Sequence, residues 1–139
     1  MKLSFSRSTK ILLAVICFTV SIFGFMIKLP AAFRHFDKEL HTVFYFFAAV
    51  FLNLLFANRN IFIHLLIFVI LYLFGIGIEY AQEYSNTLFH KKIHGRYDIE
   101  DVRSNLKGLI ACSILWFIYI AISFFFSKGT LPKAANNKE

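Results

Sequence analysis

Charge is what this sequence withholds from its longest runs. Residues 11–27, 42–57, 61–78 and 109–126 contain no Asp, Glu, Lys or Arg. Acidic residues are scarce, 8 in 139, and seven of them fall in two segments between those runs. Asp37 and Glu39 precede the second run. Glu79, Glu83, Asp98, Glu100 and Asp101 follow the third, and Glu139 lies apart. Cysteine is almost absent: Cys17 and Cys112 both sit inside apolar runs, which argues against a structural disulfide and for a packing role. There is no Gly-rich phosphate loop, nucleophile elbow, internal repeat, lipidation signal or nucleic-acid motif. With none of these signals to divide it, the chain reads as one domain over residues 1–139.

What is present is apolar surface. Hydrophobic residues make up 58% of the chain and aromatics 19%, with 19 Phe. A soluble chain this short could not hide so much in one core. A bilayer core takes about 17–25 apolar residues per tilted helix, and the four runs fit once the second borrows Leu40 and His41 from its flank. Period-2 alternation is absent, so helices rather than a barrel satisfy the backbone. The fold expected is all-α, a membrane-embedded bundle of four transmembrane helices. The first run follows Lys2, Arg7 and Lys10 but ends in Lys28-Leu29-Pro30 without a small-x-small site, so it reads as a span rather than a cleaved signal.

With four spans, both termini share a side with the tight Asn58-Arg59-Asn60 turn. Lys and Arg are divided almost evenly between the two sides, so their count alone does not orient the protein. The basic, acid-free opening segment favours cytoplasmic termini, with the acidic segments outside. The net charge of +7 comes from residues flanking the spans, where they snorkel towards head groups; the partner implied is the lipid bilayer and not nucleic acid. No face declares an oligomer.

Three polar segments converge if the first and third spans end on the same side. Asp37, His41 and Tyr45 recur every four residues and form one helix stripe, in which an Asp can orient an imidazole for acid–base work. The alternative is an interfacial cap and aromatic anchor. Glu79 follows directly on an apolar run, with Gln82 on the same face and Gly75 and Gly77 allowing close helix approach. A carboxylate at the edge of hydrocarbon needs a partner or a cavity, unless it simply marks the water boundary. Asp101, Asn105 and Gly108 share a third face, with Asp98 or Asp101 available to cap or charge the fourth helix. That segment also reads as an ordinary amphipathic lead-in. Arg96 offers a planar fork for phosphate or carboxylate.

The ordered pieces Asp37-Lys38-x-x-His41-x-x-x-Tyr45, Glu79-x-x-Gln82 and Gly95-Arg96-x-x-x-x-Asp101-x-x-x-Asn105-x-x-Gly108 resemble the VanZ-like family of small bacterial membrane proteins. The resemblance covers residues 37–108 and the span layout. It departs in the longer distance from Gln82 to Arg96, in His90-Lys91-Lys92-Ile93-His94 where a turn is usual, and in Cys112 where a second small residue often stands. It implies a bacterial inner or plasma membrane protein, some of whose relatives are linked to low-level teicoplanin resistance. It points to Asp37, His41, Glu79, Gln82, Arg96, Asp101 and Asn105, and supplies no mechanism.

Three functions follow as expectations. The first is a cell-envelope factor that binds an anionic lipid-linked ligand in a polar pocket at the outer face. The second is a membrane enzyme acting on such a substrate, with His41 as acid–base and Asp37, Glu79 or Asp101 as carboxylates. The third is a structural lock between helices. No catalytic residue is assigned. A metal held by His41, Glu79 and Asp101 is conceivable, but these residues lack close ligand spacing, so no metal or cofactor is expected.

Overall fold

The structure, a computed structural model, describes residues 5–27, 36–91 and 96–128. Lys28-Leu29-Pro30, residues 92–95 of the basic loop (Gly95 among them) and the tail at 133–139 lie outside the described residues. Four helices account for nearly all of the rest: α1 (Arg7–Met26), α2 (Asp37–Leu52), α3 (Ile61–Leu88) and α4 (Ile99–Lys128). All four are long and apolar enough to cross a membrane, α2 together with its continuation to Ala57, and no strand occurs among the described residues. The all-α four-helix fold expected from the sequence is the one observed.

Polar side chains start the helices. Ser6 Oγ accepts from Thr9 N at the head of α1, and Asn60 Oδ1 accepts from Phe62 N and Ile63 N at the head of α3. Asp98 Oδ1 accepts from Glu100 N just before α4, so Asp98 rather than Asp101 is the cap. At α2 no side chain caps the end, but Asp37 and Glu39 lie in its first turn, where negative charge complements the helix dipole. Helix α2 passes into a π turn (Asn53–Ala57), and the chain then reverses through Asn58 and Arg59, both with positive φ. Helix α3 runs ten residues past the apolar stretch 61–78, to Leu88, because its polar extension contains no Gly or Pro to stop it.

The core lies between α2, α3 and α4, around Tyr45, Ala49, Leu52, Leu71, Leu109 and Cys112. Helix α2 packs most extensively on α4. Gly108 makes this possible: a Cβ there would stand 2.2 Å from the Thr42 carbonyl oxygen. Small residues admit this kind of close approach between membrane helices, where dispersion contacts and interhelical hydrogen bonds replace the hydrophobic effect. The outward faces stay apolar, with Leu12, Val20, Phe62, Leu66, Ile114 and Ile118 exposed as lipid-facing surface would be.

Helix α1 is the loosest element, and Ser21 is its only fully buried residue. The Ser21 hydroxyl is satisfied locally by donating to the Cys17 carbonyl. Aromatic contacts dock α1: Phe18 meets Phe74 edge-on at 5.0 Å, and Phe25 meets Phe44 at 4.8 Å. These contacts bring the end of α1, the starts of α2 and α4 and the polar extension of α3 to one end of the bundle. The π turn and the start of α3 lie at the other.

Candidate functional site

Two buried polar networks occupy the two ends of the bundle. The one expected from sequence is centred on His41, which α2 places one turn after Asp37 and one turn before Tyr45. His41 is 5% exposed, Glu79 and Asn105 1% each, and Asp101 8%. The His41 Nδ1–H donates to Asn105 Oδ1 at 2.8 Å, across the α2–α4 contact. Asn105 Oδ1 can only accept, so the proton sits on Nδ1, and Nε2 is left facing Asp37 Oδ1 at 3.9 Å. A carboxylate oxygen of Asp101 also falls within 4.8 Å of the His41 and Asp37 ligand atoms.

Nearby, Thr42 Oγ1 donates to the Ser104 carbonyl, and Glu79 Oε2 accepts the Asp98 N–H at 3.1 Å. The hydrogen bonding is incomplete. Glu79 Oε1, Asp101 Oδ1 and Asn105 Nδ2 are buried without a hydrogen-bond partner. An orphaned buried polar atom costs about 1–3 kcal/mol, so three at one end are a substantial strain on a small bundle.

The remaining expected residues divide. Tyr45 is buried beside the cluster, its hydroxyl and Asn105 Nδ2 both crowding the side of Gly75 where a Cβ would point. Gln82 turns elsewhere, and its Nε2 donates to the Phe25 carbonyl at 2.7 Å, satisfying the open end of α1. Arg96 is exposed, and no hydrogen bond or ion pair ties it to the cluster among the described residues. Phe25 roofs the site, its ring 4.9 Å from the His41 ring. Beside the cluster, α2 and α4 enclose an open groove of about 240 Å³, lined by Lys38, Glu39, Thr42, Val43, Ser104 and Lys107.

The second network is not apparent from the sequence reading. His64, 2% exposed, donates from Nδ1 to Asn53 Oδ1 at 2.8 Å, and its Nε2 lies 3.1 Å from the Ser113 hydroxyl, which also donates to the Leu109 carbonyl at 3.0 Å. Asn53 Nδ2 in turn donates to the Ala49 carbonyl, and Trp116 stacks on the His64 ring at 4.2 Å. A signal does exist. Asn53 and His64 are almost symmetric about the Asn58-Arg59 turn, so an antiparallel helix pair brings them face to face.

Comparison with protein-family models, curated proteins and solved structures returned no match. The helices make the chain compatible with a multi-pass integral membrane protein in contact with lipid.

Proposed function

We propose that the protein is a VanZ-like factor of the bacterial cell envelope, which uses the His41 end of the bundle to bind an anionic, lipid-linked ligand at the outer membrane face. The observation that carries a ligand site at this end is the trio of buried, unpartnered atoms on Glu79, Asp101 and Asn105; the anionic character of the ligand is read from the lysines of the adjoining groove and not from this trio. Polar groups are retained unsatisfied inside apolar surroundings where function requires them. The adjoining groove supplies cationic groups for an anion, Lys38 and Lys107. In this reading the termini are cytoplasmic, the membrane is the bacterial inner or plasma membrane, and the ligand's acidic group reaches the lysines before Arg96.

The test is teicoplanin susceptibility of a sensitive bacterial host carrying the wild type or Glu79→Gln at matched membrane levels. Protection by the wild type and none by the variant is the expected result. Absence of protection by both would remove the resistance role. If Arg96→Lys loses protection while Lys38→Gln and Lys107→Gln keep it, the anion is held by Arg96 and not in the groove.

His41 favours a second reading, an enzyme acting on the same class of substrate. Its Nε2 faces carboxylates on both α2 and α4, an arrangement suited to moving a proton. Turnover of a lipid-linked substrate by purified protein, abolished in His41→Gln, would select it.

A further inference from the structure

His41 Nε2 faces carboxylates from two helices and no hydrogen-bond donor. Its tautomer is set by the Asn105 oxygen, which takes the proton on Nδ1. Metal-binding histidines are commonly held in this way, with one ring nitrogen donating to an acceptor and the other turned to the ion. Asp37 and Asp101 approach from two different helices, and one ligand atom from each of the three residues lies within 4.8 Å of the others. Asp101 is more than nine-tenths buried, and its Oδ1 has no partner. Two carboxylates and an imidazole lone pair repel one another in an apolar surrounding, unless a cation or a proton sits between them.

We propose that Asp37, His41 and Asp101 bind one divalent first-row transition-metal cation, with zinc the best match to the donor set. One imidazole nitrogen and two carboxylate oxygens are borderline and hard ligands of the kind zinc accepts. Three protein ligands leave a fourth position for water or for an oxygen of the ligand. Neighbouring donors of a tetrahedral zinc site stand about 3.3 Å apart. The 3.9 Å between His41 Nε2 and Asp37 Oδ1 therefore closes with a small turn of the Asp37 side chain, which is 39% exposed and free to move. From the sequence no metal is expected, and the His41, Glu79 and Asp101 combination weighed there is not the one the structure gathers, because Asp37 rather than Glu79 shares the triad.

The inference deepens the proposed binding role and rests on it: the cation would receive the acidic group of the lipid-linked ligand. Its test is independent of that role. Full-length protein in detergent micelles, stripped with a chelator, is titrated with zinc chloride while bound metal and thermal unfolding are followed. The wild type and His90→Gln, which removes an exposed histidine outside the site, should each take up one equivalent and unfold several degrees higher. Asp101→Asn and His41→Gln should take up none at the same zinc concentration, and Asp37→Asn should bind at least tenfold more weakly. Should Asp101→Asn fail to fold, Asp37→Asn decides, because its partly exposed position tolerates the change. No saturable uptake by the wild type, or equal uptake by Asp37→Asn, would overturn the proposal and leave an imidazolium paired with two carboxylates. Magnesium binding as tight as zinc would also overturn it, since an imidazole ligand disfavours magnesium. Zinc uptake without teicoplanin protection would leave the metal site standing and remove the envelope reading. Protection that depends on Glu79 in a protein taking up no zinc would do the reverse.

Discussion

His41 and His64 are both buried and both bonded to an asparagine at 2.8 Å through Nδ1, yet their surroundings are opposite in kind. Around His64 each nitrogen has one partner, the asparagine has a second, and an indole covers the ring. That network is closed and apolar at its rim, and it behaves as a lock between α3, α4 and the π turn. Around His41 the second nitrogen meets only carboxylates, and three neighbouring atoms lack partners. A complete network contributes stability; an incomplete one in the same bundle costs it, and that cost is what the proposed binding role would account for.

The comparison breaks most severely at Gly108. Gly108→Ala drives a methyl into the Thr42 carbonyl and should part α2 from α4, with a loss of about 3 kcal/mol or more. Recovery of monodisperse protein from detergent measures it. Next comes His64→Ala, which removes two hydrogen bonds and a stacked ring and should cost about 2–3 kcal/mol in unfolding. Zinc uptake by the surviving fraction should be unchanged, and its loss would show that the two networks are one. Asn105→Ala sharpens the contrast from the other side. It should lower stability by only about 1–2 kcal/mol, while weakening zinc binding tenfold or more as the imidazole loses its orienting acceptor. The smallest effect is expected of Glu79→Gln. In the absence of metal, thermal melts of this variant should match or slightly exceed the wild type, by about 1 kcal/mol or less, because a neutral amide that keeps the Asp98 contact is easier to bury than a carboxylate with one oxygen unpartnered. A large drop would make Glu79 part of the lock.

Much of the His41 site is legible in the sequence because its pieces are local. Asp37, His41 and Tyr45 lie one helical turn apart, as do Asp101, Asn105 and, nearly, Gly108. A polar residue at the rim of a charge-free run is conspicuous. The His64 network is less legible, since Asn53 and Ser113 look like ordinary small polar residues within a span until the hairpin brings them to His64. The π turn leaves no trace at all: residues 53–57 include neither Gly nor Pro. Arg96 stands out through the ordered resemblance and not through any physical demand. Once Asp98 caps α4, Arg96 falls three positions before the helix starts, out on the surface. Gln82 follows Glu79 by three residues on the same helix, but its amide turns to the end of α1, a partner that no spacing rule within α3 could reveal.

The light hold on α1 bears on how the molecule is put together. Membrane helices first insert separately and only then associate. Both histidine networks draw their members from α2, α3, α4 and the turn that joins the first two of these; none comes from α1. Those three helices therefore form a kernel that holds both histidine networks without α1. What α1 brings is a carbonyl for Gln82 and the ring of Phe25. A bundle lacking α1 would keep both histidine networks and leave His41 without its Phe25 cover.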